Sequence, residues 1–279
     1  MIQMMIGALL SRISIWLVSR QISAKHSLPG QVFGYRHPVE GAIVEALNSS
    51  HVVSVYWGVW ESGKSRAARN VALRFQEVGR LAILLDGYNH CYGDDCSTMR
   101  VWLRRSIGVP DTESDVAKYF AQPTSIIIDN FDRIGKSQKY SDVMEALEEL
   151  DTGVLLIVSS WERAMELRTQ GCRMIGSSAD VGRWKEDELR ILFASLPPEI
   201  QDKWTCGGVD EGKKNELLRL SALSGSPGFL TFSAYENRCG NQAAILDAEW
   251  RKGINALEGT GDDSDVGRFP DKDGVFHWD

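Results

Sequence analysis

Apolar and polar positions recur along this chain with two periods, and the changes between them mark its elements. Residues 1–18, MIQMMIGALLSRISIWLV, are largely apolar, with Gln3, Gly7, Ser11 and Ser14 at helical spacing. That spacing predicts a helix with one more polar face. Residues 26–34, HSLPGQVFG, carry the Pro and Gly of a linker. A short helix is expected over 38–47. Five apolar runs of strand length follow, at 51–56, 81–85, 124–129, 154–159 and 173–175. Helical patterns separate them at 64–78, 97–106, 112–120, 138–150 and 161–169. Gly79 stands where the first of these helices must end. The run Ile126–Ile127–Ile128 is continuous rather than alternating, as expected for a strand buried on both faces. Strands alternating with helices predict an α/β fold of three layers around a parallel sheet.

After residue 180 the strand patterns stop. Residues 184–196, 213–224 and 228–253 read as helices, broken by Pro197–Pro198 and by SGSPG at 224–228. Residues 257–279 are acidic and rich in Gly and Asp, the composition of a mobile tail.

The strand at 51–56 runs directly into Gly58–Val59–Trp60–Glu61–Ser62–Gly63–Lys64–Ser65 and then a helix. This is G-x-x-x-x-G-K-S between strand and helix, the context of a phosphate-binding loop. The glycines let the backbone turn its N–H groups toward phosphate oxygens, and the helix aims its N-terminus at the same place. Lys64 is placed to reach the outer phosphates, Ser65 to bind Mg²⁺, and Arg66 continues the turn. Glu61 brings a carboxylate close to the expected phosphates and has to point outward. A second carboxylate, Asp129, closes the IIID strand, where the shell of a Mg²⁺ ion would need it. Ser159 and Ser160 end the strand at 154–159, within reach of attacking water or an outer phosphate on the same plan.

Net charge is −7, which offers no global electrostatic case for nucleic acid. The balance is uneven: residues 1–39 carry Arg12, Arg20, Lys25 and Arg36 and no acid. An apolar, basic segment of this kind suits a peripheral helix, a membrane-lying helix or a targeting sequence. As a bilayer span it is marginal, because Arg12 interrupts it. The five cysteines, Cys91, Cys96, Cys172, Cys206 and Cys239, are odd in number and scattered, which points to reduced thiols in an intracellular, reducing compartment. His90, Cys91 and Cys96 supply three zinc-type ligands without a fourth, so ordinary thiols are the better reading.

The order of these pieces resembles the AAA+ and STAND divisions of P-loop ATPases, in particular origin-recognition initiators and archaeal-type ATPases. VFGYRHPVEGAIVEAL at 32–47 looks like the family's segment before the loop, with Arg36 near the adenine. GVWESGKS is its Walker A motif, and IIIDNFDRI is similar to its Walker B strand. LLRLSALSGSPGFLTF at 217–232 looks like its helical lid, with Pro227 in the G-x-P turn. The resemblance implies ATP and Mg²⁺ as ligands, Ser65 and Asp129 as the metal's partners, and hydrolysis coupled to lid movement or self-association. It implies a nucleotide domain over 30–180 and a helical lid over 181–256, while composition alone sets the helix expected over 1–25 and the tail over 257–279.

One departure bears on catalysis. The family's residue after the Walker B Asp is usually Glu, which activates water; here it is Asn130, an amide that orients water without accepting its proton. Asp132 is the nearest substitute. Two further readings therefore stand beside the slow ATPase. One is a non-hydrolysing nucleotide switch. The other is a small-molecule kinase, since LAILLDGYNH at 81–90 resembles the second strand of adenylylsulfate kinases, whose terminal Asp, here Asp86, faces the acceptor. Arg104, Arg105, Arg163 and Arg168 are all candidates for an arginine finger.

Overall fold

The β-branched and leucine-rich runs form one sheet because each lies between two helical layers and has no polar face to show to water. In the computed structural model, strands β1 (Val53–Trp57), β2 (Leu81–Asp86), β3 (Thr124–Asp129), β4 (Gly153–Val158) and β5 (Arg173–Met174) are ordered β2-β3-β4-β1-β5. Every pairing is parallel, with Val53 opposite Val154 and Asp86 opposite Asp129. The structure describes residues 2–29, 37–49, 52–59, 62–89, 98–110, 115–120, 122–134, 140–175 and 183–195, with isolated positions between 198 and 255.

Side-chain alternation divides the core in two. Val55, Ile83, Leu85, Ile126, Ile128, Leu156 and Val158 face helices α4 (Met99–Ile107), α5 (Tyr140–Glu148) and α6 (Trp161–Thr169). Tyr56, Ala82, Ile127, Leu155 and Ile157 face α2 (Glu40–Asn48) and α3 (Lys64–Glu77). This is the expected three-layer α/β arrangement, and it follows from the handedness of the crossovers. The chain leaves β1 for the far edge at β2 by way of α3, then works back through β3 and β4. Reversing direction moves the right-handed connections to the other face, so α3 lies on one side and α4, α5 and α6 on the other.

Five strands fall where the apolar runs predict, within two residues at either end. Gly79 turns the chain after α3 with φ of +72°. One element differs. The helix expected over 112–120 is a single 3-10 turn at Ala117–Tyr119, with 111–114 outside the described residues. The N-terminal helix, α1 (Ile2–Lys25), spans the 1–25 segment and continues beyond the apolar run at 1–18. It continues because its last turns dock: Ile22 is buried in the sheet's core, and Lys25 donates to the carbonyls of Arg105 and Ser106 at 3.1 and 2.7 Å. Those carbonyls end α4, where a cation is favoured. No described helix is long and apolar enough to cross a membrane. Beyond the sheet, α7 (Glu186–Ser195) contributes Leu189 and Phe193 to a separate apolar cluster with Trp184 and Leu218. Residues 30–34 of the linker, the Pro197 break, the SGSPG break and the acidic tail lie outside the described residues.

A buried carboxylate joins the two helices on the β1 side. Glu40 opens α2 and is fully buried. It accepts from the His37 backbone N–H at 2.9 Å and from Asn70 Nδ2 at 3.0 Å, and it pairs with Arg74 at 3.1 Å. Asn70 and Arg74 share one face of α3, so the carboxylate sets how α3 lies against α2. Removing it strands two buried donors and a partly buried cation. Glu40→Ala is expected to cost about 2–4 kcal/mol in urea unfolding, with Glu40→Gln closer to wild type because it keeps an acceptor.

Candidate phosphate-binding site

Beyond β1 and β4 the chain enters helices on opposite faces of the sheet: α3 follows β1 on one side and α6 follows β4 on the other. Adjacent parallel strands whose connections leave on opposite faces in this way open a crevice outside their carboxyl ends. The G-x-x-x-x-G-K-S loop leaves β1 at this crevice. Gly58 does not present its N–H to the crevice, as the loop motif led us to expect; it donates to the Val158 carbonyl at 3.3 Å and prolongs the β1–β4 ladder. Gly63 lies in the left-handed region with φ of +89°, the conformation that turns the loop into α3. Ala67 N–H donates to Gly63 at 2.9 Å, so the N–H groups of Lys64, Ser65 and Arg66 precede the first intrahelical bond.

Lys64 is buried, and its ammonium donates back to the Val59 carbonyl at 2.7 Å. This bond ties the first residue of α3 back to the start of the loop segment. Ser65 and Arg66 are exposed at the helix start. Partial desolvation at the helix start lowers the pKa of the Arg66 guanidinium, with nearby Arg69 acting in the same sense. Trp60, Glu61, Arg36 and Pro227 lie outside the described residues, as do His90, Cys91 and Cys96. Among the described residues no cluster of His, Cys, Asp and Glu forms a metal centre of its own. Cys172 is a free, buried thiol whose pKa burial pushes up to about 11.

His37 and Trp184 hold the loop, and the motif reading singled out neither. The His37 Nδ1 accepts from Val39 N–H at 3.1 Å, which leaves Nε2 protonated and donating to the Ser62 carbonyl at 2.7 Å. The Trp184 indole N–H reaches the same carbonyl at 2.8 Å, and the two rings meet edge to face with centroids 4.9 Å apart. One backbone oxygen of the loop therefore takes donors from the segments before α2 and before α7. No sequence signal marks either residue, because they lie 147 positions apart and meet only through the fold. Beneath them, the fully buried Tyr56 hydroxyl faces the Ser62 hydroxyl without a well-formed hydrogen bond, and burial pushes its pKa up.

The carboxylates sort differently from their sequence order. Asp129 ends β3, two strand positions from β1 or about 10 Å. Its Oδ1 accepts from Asn130 N–H at 2.9 Å. Asn130 adopts φ of +53°, a left-handed position where Asn is well tolerated and Glu is not. Its Nδ2 donates to Asp86 Oδ1 at 3.0 Å, so the amide faces β2 and turns from the loop strand. Asp86 also accepts from Tyr88 N–H at 3.0 Å. Gly87 is required there, since a Cβ would stand 2.3 Å from the Asn130 carbonyl oxygen.

Asp132 instead faces β4. Its carboxylate accepts from Ser159 N–H at 2.7 Å and Ser160 N–H at 3.3 Å. Burial pushes its pKa up, while those N–H groups and the cations of Lys64 and Arg163 pull it down. Ser160 caps α6, with Oγ accepting from Arg163 N–H at 3.1 Å and donating to Glu162 at 2.6 Å. Of the candidate finger arginines, Arg104 and Arg163 are buried within the α4–α6 layer, Arg163 paired with Glu166 at 3.1 Å.

No protein-family model matches this sequence, and no curated protein matches it. Among solved structures it is similar to the replication initiator DnaA bound to AMPPCP and single-stranded DNA. That match has 14% identity over 72% of this chain and 62% of the other, with a TM-score of 0.37. It is also similar to AMPPCP-bound DnaA from Aquifex aeolicus, at 11% identity over 79% and 86% with a TM-score of 0.37. PCH-2 from C. elegans shows 12% identity over 80% and 66%, with a TM-score of 0.32. The class of this protein rests on its own strand order and loop: a three-layer α/β domain carrying a phosphate-loop sequence at its crevice.

His37 supplies a pH test of the loop clamp. Burial holds its pKa at about 4, below the ordinary 6.5. The unfolded chain takes up a proton below pH 6.5 that folded His37 refuses until about pH 4. Its neutral form therefore stabilises the fold above that window, and roughly 3 kcal/mol is lost as pH falls through it. Urea unfolding across these pH values should show this extra slope in wild type and not in His37→Gln.

Proposed function

We propose that this protein binds ATP with Mg²⁺ at the β1–β4 crevice and turns it over slowly, using nucleotide state as a switch. The observation that carries this reading is the placement of the G-x-x-x-x-G-K-S loop. Its left-handed Gly63 and the α3 N-terminus meet at the crevice, with the Asp129 strand end two positions away. Lys64 would exchange the Val59 carbonyl for phosphate oxygens, and Ser65 and Asp129 would hold the metal. The bound metal would neutralise developing charge on the outer phosphates.

Slow turnover follows from Asn130. Its side chain is committed to Asp86, and its backbone occupies a conformation that suits an Asn turn. Asp132 is an acid that feels the charge of Lys64, and both of its oxygens already accept backbone N–H groups. It orients the β4–α6 turn first and is the remaining candidate to position water. A kinase reading is less well supported. Asp86 sits on the edge strand β2, three positions or about 15 Å from β1, and its Oδ1 already accepts from Asn130 Nδ2 and Tyr88 N–H. Trp184 links the loop to α7, so a change at Ser62 would pass to the helices that follow and to any lid movement or self-association they mediate.

Lys64→Ala is expected to lower MgATP affinity roughly 10- to 100-fold with little change in unfolding midpoint. Equal thermal shifts with MgATP for wild type and variant would refute the site. Asp129→Asn should weaken binding in Mg²⁺ more than in chelator.

Single-turnover hydrolysis separates the acids. Asn130→Glu forces a bulkier side chain into a left-handed position beside Asp86 and Asp129. We expect it to cost about 1–2 kcal/mol of stability without raising turnover. Asp132→Ala should abolish residual hydrolysis if Asp132 positions water. Rapid wild-type hydrolysis indifferent to both substitutions would refute the switch.

A further inference from the structure

Helix α1 shows two opposite faces. Ile15, Val18, Ser19 and Ile22 lie on the docked face, with Ile22 inside the core of the sheet. Leu9, Leu10, Ile13, Trp16 and Leu17 form the other, a stripe about 120° wide at helical spacing. All five are between 45% and 61% exposed. Eight large apolar side chains are exposed among the described residues, and these are five of them. From Ala8 to Ser14 every residue is exposed, so this stretch of the helix stands off the body.

The charges around the stripe are all of one sign. Arg12 flanks it, and Arg20 closes it with its guanidinium 5.0 Å from the centre of the Trp16 ring. Residues 1–39 contain no acid, in a chain of net charge −7. Packing a second α1 against the stripe would bring arginines together with no carboxylate on either helix to pair them. An anionic surface meets the same arrangement with attraction. An apolar stripe edged by arginines, with Trp at the boundary, matches the physics of an interfacial helix.

We infer that α1 is a docking element for an anionic phospholipid bilayer. The helix lies in the headgroup region with Leu9, Leu10, Ile13, Trp16 and Leu17 among acyl chains and Arg12 and Arg20 at phosphate level. Its docked end meets the last turn of α4 and the 3-10 turn before β3, both at the amino-terminal edge of the sheet. The nucleotide crevice opens at the carboxyl edge, so a membrane-bound molecule keeps it facing away. The inference is independent of what the crevice binds.

The experiment is co-sedimentation of the full chain with vesicles of phosphatidylcholine alone and of phosphatidylcholine mixed with phosphatidylserine. Wild type should sediment with the anionic vesicles, stay in solution with the neutral ones, and dissociate as salt rises. Ile13→Glu and Leu17→Glu, each on the exposed stripe, should reduce anionic partitioning about tenfold or more with unchanged thermal unfolding. Three results would overturn the inference. One is wild type remaining in solution with anionic vesicles. Another is equal sedimentation of wild type and the two variants. The third is sedimentation equilibrium showing a wild-type dimer that Leu17→Glu dissociates, which would assign the stripe to a second copy.

Discussion

The right-handedness of the parallel crossovers is the constraint on which the rest of this structure depends. Because the chain jumps from β1 to the far edge and returns, α3 must lie on one face and α4, α5 and α6 on the other. The β1–β4 seam is where these two arrangements meet. It leaves the carboxyl ends of both strands uncovered by helix, and the loop, Asp132, Ser159 and Ser160 all gather there.

That seam explains how the acids are divided. A residue after β3 can reach toward β2 or toward β4, and backbone conformation decides which. Asn130, in a left-handed turn, reaches toward β2 and meets Asp86. Asp132, two residues on and in a 3-10 turn, reaches toward β4 and closes the Ser159–Ser160 turn. The amide that stands in place of the expected Glu is thus part of a strand-end turn, and the carboxylate that feels the charge of Lys64 is the one that chain order ranks second.

The loop itself is braced from outside. Its Ser62 carbonyl takes two donors, a neutral imidazole and an indole, from segments that enter before α2 and before α7. Glu40 holds the same region from below by tying the His37 backbone to α3. Both devices are buried, so each depends on complete hydrogen bonding. The cost of leaving a buried donor or charge without a partner is what makes them rigid.

Local information was enough for the sheet and the loop. Strand runs such as Ile126–Ile127–Ile128 must be covered on both faces, and G-x-x-x-x-G-K-S between strand and helix has a spacing that few other structures use. The short-range turn at Gly79 was legible for the same reason: the glycine and the helix it ends are neighbours in the chain. The direction of Asn130, the capping role of Ser160 and the ladder bond of Gly58 were not legible. Each depends on which strand lies next door, and strand order is not a property of any local segment. The clamp of His37 and Trp184 on Ser62 joins residues far apart in sequence, so only packing could bring them together. Helix α1 divides the same way. Its apolar, acid-free composition could be read directly, but which side docks and which faces outward was decided by the surface that α4 and the turn before β3 present to it.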